Sequence, residues 1–369
     1  MGFNKKNIIM MVFVLCTILL VAACSGGSSD SNTSNNDTES NDNNPEELAT
    51  DGSQKTLGIV AIDLTNPFFI QMKEAGDQAA KDYGVKTIWQ SADGSVEKQI
   101  SLIENFIQQG VDAILIDPSD KNAIIPVIEK AEEAGIEIIT MGNKVEGDWN
   151  YNTLYPDYDN MAMLAKVFGT ALDGKGQIAY LSLSKGNYVS DEREAGFIET
   201  IEKEFPNIEI VGNQPTEFDT AEAQKITETW LNNYPDLDGI AFAHDPLGIA
   251  AMSAAETMGR DGLIFGGYDG EMEMETFIND GRMLLDSMTG SYRIGYWNIA
   301  VAARIVNGTE FSKDLAMPTH YITSDETAKM LADKGLEFDY ITPKDAEGVF
   351  LDYVNEFGPE VSDEMMSEK

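Results

Sequence analysis

Along most of the chain, short apolar runs stop at polar or glycine-bearing turns and restart as stretches with a helical apolar stripe. Residues 57–62 are long and β-branched enough for a strand buried on both faces. Thr65, Asn66 and Pro67 then supply turn chemistry, a cap and a helix-opening proline, and Phe69, Met72, Gly76, Ala79 and Tyr83 recur at helical spacing until Gly84. In such a helix one of the adjacent Phe68 and Phe69 packs inward and the other faces the loop mouth, unless both are simply core aromatics at a helix start.

The alternation continues with strands over 85–89, 113–116 and 136–141, separated by a helix face at Ile100, Ile103, Phe106 and Ile107 and a helix over 123–134. The strand over 113–116 leaves through Asp117-Pro118-Ser119-Asp120, and the one over 136–141 through Gly142-Asn143-Lys144. A second series opens near Tyr158 with a helix over 161–172, then strands over 177–183, 208–212, 239–243, 263–267 and 283–288. Their exits carry a loop over 184–190 before a helix from about Asp191, Phe218 ahead of a capped helix at Asp219, His244-Asp245-Pro246, Tyr268-Asp269-Gly270, and Thr289 before a helix over 292–307. Alternating β and α with short connections predicts an α/β fold of parallel, doubly wound sheets with right-handed crossovers. Ligands of such sheets sit at the carboxyl ends of the strands.

The amino-terminal residues stand apart. Lys5 and Lys6 precede an apolar run over 8–21, too short to span a bilayer comfortably but suited to a secretion signal. The run ends in Leu20-Val21-Ala22-Ala23-Cys24, which resembles a bacterial lipobox and predicts removal of residues 1–23 and lipidation of Cys24. Cys16 leaves with the signal, so Cys24 is the one cysteine of the mature chain, and neither a disulfide nor a cysteine metal site is expected. Residues 24–55 are almost devoid of large apolar side chains; they read as a disordered tether reaching about 30 Å. About 310 residues remain, more than one ordinary domain and a fit to two lobes with a cleft between them.

The formal charge of −38 becomes −40 once the signal and its two lysines are gone. Such a surface repels nucleic acid and anionic lipid, and its magnitude reads as adaptation to high salt. His244 and His320 are the only histidines, and no nucleophile motif accompanies them, so an enzyme built on paired carboxylates is a minor alternative. No cofactor or metal is expected; Asp173-Gly174-Lys175-Gly176 is too short for a calcium loop.

Six motifs recur in order: Asn66-Pro67-Phe68-Phe69, Ile116-Asp117-Pro118-Ser119-Asp120, Glu192-Arg193-Glu194-Ala195-Gly196-Phe197, Phe218-Asp219-Thr220-Ala221, Ala243-His244-Asp245 and Gly267-Tyr268-Asp269-Gly270. Through them, residues 56–323 resemble the periplasmic sugar-binding proteins of the ribose-binding and galactose-binding type. The resemblance implies a type I periplasmic binding protein fold, two lobes joined by a three-crossover hinge that close on a sugar. The crossovers fall near Asp157, Thr289 and Tyr321, with the first lobe made of 56–157 and 289–320 and the second of 158–288 and 321–369. Carried over position by position, Asn66 donates to a sugar hydroxyl, Phe69 with Phe68 stacks on one ring face, Phe218 stacks on the other, and Asn143 binds a hydroxyl. Arg193 either contacts the ligand or pairs beneath the loop, and Asp245 and Asp269 take polar positions in the second lobe.

Departures from the family pattern leave the sugar open. Asp117 and Thr289 stand where ribose-type members carry amides, Gly142-Asn143 replaces an acidic-basic pair, and Asp191 replaces an arginine. The physical logic of a sugar site still applies, because apolar C–H faces match aromatic plates and a hydroxyl rim matches carboxylates and amides. Asp117, Asp245 and Asp269 are expected to converge on the closed cleft. The implied function is a lipid-anchored, extracytoplasmic substrate-binding protein of an ABC importer, a monomer that hands a monosaccharide or polyol to permease subunits. A sensor feeding a chemoreceptor, kinase or quorum-signal pathway is the alternative. Beyond the resemblance, helices over 325–334 and 344–357 are expected on the second lobe.

Overall fold

A computed structural model of the protein describes residues 54–366; the signal segment, Cys24 and nearly all of the tether lie outside the described residues. The first lobe begins with β1 (Thr56–Ala61), α1 (Pro67–Asp82), β2 (Lys86–Ser91), α2 (Val96–Gln109), β3 (Ala113–Ile116), α3 (Ile125–Glu133), β4 (Glu137–Met141) and β5 (Tyr151–Leu154). β1 and β3 are buried along nearly their whole length because helices cover both faces of the sheet. Asn66 caps α1 by accepting from the Phe68 N–H at 2.9 Å, and Pro67 takes the first helical position, where no N–H is needed.

The second lobe holds α4 (Asp157–Ala171), β6 (Lys175–Ser182), α5 (Tyr188–Glu204), β7 (Asn207–Pro215), α6 (Thr220–Asn233), β8 (Leu237–Phe242), α7 (Asp245–Thr257), β9 (Ile264–Asp269), α8 (Glu275–Asn279) and β10 (Met283–Met288). The chain returns to the first lobe as α9 (Ser291–Val306) and β11 (Asp314–Ala316). It then crosses back as β12 (His320–Ile322), α10 (Asp325–Asp333) and α11 (Pro343–Leu351), and continues into α12 (Tyr353–Phe357). The first sheet, ordered β11-β5-β4-β3-β1-β2, is parallel throughout. The second, β12-β10-β9-β8-β6-β7, is parallel except for β12, which runs antiparallel to β10. This is the two-lobed, doubly wound α/β architecture expected, with one antiparallel edge strand added.

The chain passes between lobes at Tyr155-Pro156, at Thr289-Gly290 and at 317–319. The third passage precedes Tyr321 because His320 already pairs with Met288 in the second sheet. α1 and α9 pack closely on the first lobe, where a Cβ on Gly295 would stand 1.9 Å from the Met72 carbonyl oxygen; only glycine permits this approach.

The carboxyl-terminal segment departs from expectation. α10 and α11 touch the second lobe, but the helix breaks at Asp352 and α12 packs on the first. Tyr353 stacks on Tyr292 with ring centroids 5.9 Å apart, Phe357 lies against Trp297, and Trp297 Nε1 donates to the Met366 carbonyl at 2.9 Å. These side chains cover an aromatic face of α9 that water would otherwise meet.

Candidate ligand cleft

Loops at the carboxyl ends of the two sheets meet around a cavity of about 560 Å³, its open mouth included. The first lobe contributes Phe68, Phe69, Asp117 and Asn143 to its lining, and the second contributes Phe218, Arg193, His244 and Asp269. Phe69 is nearly buried and meets Phe68 edge to face at 5.4 Å. The His244 ring lies edge to face against Phe68 at 5.7 Å and against Phe218 at 5.8 Å, so one imidazole bridges the aromatics of opposite lobes. Phe218 and Asp269 both hold positive φ, 62° and 130°, conformations that non-glycine residues keep only where surrounding structure demands them.

Arg193 lies on α5 and is buried. Its Nε donates to Asp157 at 2.8 Å, its Nη1 donates to the Ala243 carbonyl at 2.6 Å and to Asp269 at 3.2 Å, and its guanidinium lies 3.5 Å over the Tyr268 ring. It pairs beneath the loops while lining the cavity. Burial alone would lower the Arg193 pKa, but Asp157 and Asp269 more than offset it and keep the cation charged. Burial likewise would raise Asp269, yet His244, Arg193 and the Asp245 N–H together hold it below the usual carboxylate range. Asp157 is pushed up to about 6 by burial despite its arginine.

Asp117 is half-buried and accepts from Asn143 Nδ2 at 2.6 Å. Desolvation pushes it up to about 7, against the lowering influence of Asn143 and Arg193. Asn143 also accepts from the Val189 N–H across the cleft at 2.9 Å, Asn187 donates to the Pro118 carbonyl at 3.2 Å, and Lys121 pairs with Asp191 at 3.0 Å. These bonds join the two lobes in a closed arrangement.

Three of the expected residues do not line the cavity. Asn66 caps α1 through its Oδ1. Asp245 is fully buried behind the cleft and accepts from the Glu271 N–H at 2.9 Å, so Asp117 and Asp269 reach the cavity without it. Burial, with Asp286 and Asp269 nearby, raises Asp245 far above the usual carboxylate range, and burial with Asp269 nearby raises Asp286 to about 7. Thr289 is buried in the second crossover, where its carbonyl accepts from Arg293 at 3.0 Å.

Among the lining residues not foreseen from the sequence, His244 and Tyr155 matter most. His244 lies two residues past the end of β8, so the strand-end rule that selects Asp269 reaches it as well. Its Nδ1 pairs with the Asp269 carboxylate, which leaves the buried Nε2 without a partner among the described residues. Tyr155, just past β5, enters because Gly142 has no side chain: a Cβ there would stand 2.6 Å from the Tyr155 ring. Among the described residues, no cluster of His, Cys, Asp and Glu could hold a metal ion, and no helix is long and apolar enough to cross a membrane.

Residues 57–310 match the model of a periplasmic binding protein domain. The chain is 28% identical over 273 residues to the ribose import binding protein of Bacillus subtilis, an alignment covering 73% of this chain and 88% of that protein. It is 26% identical over 282 residues to a xylitol-binding protein of Mycolicibacterium smegmatis, covering 76% and 80%. Among solved structures, an ABC transporter solute-binding protein from Bacillus halodurans with bound myo-inositol shares the fold at a TM-score of 0.70 and 23% identity, over 82% of this chain and 99% of that one.

Proposed function

Because the chain belongs to the periplasmic binding protein family, we propose that it is the extracytoplasmic substrate-binding protein of an ABC importer and captures a monosaccharide or polyol between its lobes. It is a binding protein rather than an enzyme. The observation that carries the ligand class is the pairing of Phe69 and Phe68 from one lobe with Phe218 from the other around Asp117, Arg193, His244 and Asp269. Aromatic faces suit the C–H faces of a sugar ring, and the charged and imidazole groups suit its hydroxyls. Relatives named for ribose and xylitol, and a neighbour holding myo-inositol, support the same class. Opening and closing about the three crossovers would admit and trap the ligand.

The anchor rests on the lipobox alone: Cys24 would carry the lipid, residues 24–55 the reach, and permease subunits would receive the closed form. Replacing Cys24 by alanine should abolish lipid labelling and release the protein from membranes; retention without label would remove the anchor from the proposal. The ligand class is tested by a melting-temperature panel of sugars, polyols, amino acids and their anionic derivatives. A ligand at about 100 times its Kd adds roughly 2.7 kcal/mol, or about 4 °C for a fold of this size. Neutral sugars or polyols should give that shift, and a response confined to the other classes would overturn the assignment.

A further inference from the structure

We infer that the cleft selects a ligand with an apolar edge, a deoxy sugar or an O-methylated polyol, over its fully hydroxylated counterpart. The inference rests on the proposed sugar or polyol site and deepens it. Its basis is how few of the polar atoms around the cavity are left to a ligand. Asn143 gives one N–H to Asp117 and accepts from the Val189 N–H, and Asn187 gives one N–H to the Pro118 carbonyl and accepts from the Ser190 N–H, so each amide keeps a single N–H. The Tyr155 hydroxyl is hydrogen-bonded by Asn298. One Asp269 oxygen accepts from Arg193, and the other meets His244 and the Asp245 N–H. What is left is one Asp117 oxygen, His244 Nε2, one N–H on each of Asn143 and Asn187, and the Nη2 of Arg193, which has no hydrogen bond to another described residue. A hexose brings five hydroxyls, each able to donate once and accept twice, so about five protein groups satisfy only part of its rim. A hydroxyl buried without partners loses the bonds it made to water.

The opposite wall has the complementary chemistry. Ile62, Met72, Met141, Tyr155 and Ile294 line the cavity from the first lobe and belong to one contiguous core cluster. At the end of β4, where a side chain would project, Gly142 yields its space to the Tyr155 ring. Three of the five available polar groups, on Asn187, Arg193 and His244, belong to the second lobe. A ligand therefore lies with its hydroxyls toward the second lobe and Asp117, and with a methyl or methylene edge against the first lobe.

Competition calorimetry on matched pairs tests this: L-fucose against L-galactose, L-rhamnose against L-mannose, and a mono-O-methyl inositol against myo-inositol. At least one deoxy or methylated member should bind about 10-fold or more tightly than its partner, since a methyl in a fitted apolar pocket is worth that much. The Met141→Gln and Ile62→Thr variants, both judged folded by circular dichroism, should each narrow the ratio by placing a polar group in the wall. Equal or tighter binding of every parent compound would overturn the apolar-edge inference and leave the sugar site standing. No binding by any member, with no response in the melting-temperature panel, would overturn the sugar site itself and the inference with it.

Discussion

The Glu356→Gln replacement removes the counter-ion of a cation that the fold buries completely. Arg293, on α9, donates to Glu356 at 2.8 and 2.5 Å, to the Thr289 carbonyl at 3.0 Å and to the Pro318 carbonyl at 2.9 Å. One guanidinium thus ties α12 to the second and third crossovers of the hinge. Breaking a buried pair by removing one partner costs about 3 to 5 kcal/mol, because a charge is left uncompensated. Glu356 keeps 25% of its side chain in water, and a glutamine carbonyl can still accept one of the two bonds. The expected loss is therefore smaller, about 2 kcal/mol. Urea unfolding should show a lower midpoint with an unchanged slope, and the melting temperature should fall by roughly 3 °C. The double replacement of Arg293 by methionine and Glu356 by leucine should recover much of the loss, since an apolar pair leaves no buried charge. A loss under about 0.5 kcal/mol, or an equal loss when Arg293 is already methionine, would refute the role given to this pair.

Two further outcomes follow from charge. Burial pushes Glu271 up to about 8, Asp286 and Asp117 to about 7 and Asp157 to about 6. Groups raised in the folded state contribute stability that is fully present below the unfolded carboxyl pKa near 4 and is lost as pH rises through their folded values. Asp269, held low, contributes stability that is lost only as pH falls through its depressed value. The melting temperature should thus be highest in mild acid and decline from about pH 5 to pH 8.5 even in 1 M salt; a rise over that window would contradict the burial of these acids. Independently, 63 acidic against 25 basic residues repel one another, so at fixed neutral pH the melting temperature should climb as the Debye length falls from about 10 Å at 0.1 M salt to about 3 Å at 1 M. A flat or falling trend would count against adaptation to high salt.

The parallel sheets are legible because strands buried on both faces read as continuous apolar runs, and because Asn66-Pro67, Asp117-Pro118 and Tyr268-Asp269-Gly270 mark where those runs end. Asp269 is legible for the same reason, as the residue that ends a strand, whereas Phe69, Phe218 and Arg193 are legible through the motifs the chain shares with sugar-binding proteins. Register is harder to read by one residue. Asp245 looks like the ligand group after β8, but His244 is the side chain turned to the cavity, and Asp245 enters α7 facing the buried acids. Tyr155 is visible only through what Gly142 lacks, a relation between strands that no local pattern carries. The break at Asp352 has no proline or glycine to announce it, and α12 turns onto α9 because Trp297 and Tyr292 offer an aromatic face distant in sequence.

Isothermal titration of the purified protein with each sugar or polyol that raises its melting temperature, repeated on Phe69→Ala and Phe218→Ala, probes binding between the aromatic plates of opposite lobes. The wild-type protein should bind one equivalent, and each variant, still folded by circular dichroism, should lose about 30-fold in affinity, the loss typical of a central aromatic contact worth about 2 kcal/mol. Unchanged affinity in both variants, or no binding heat from any sugar or polyol, would contradict a ligand held between Phe69 and Phe218.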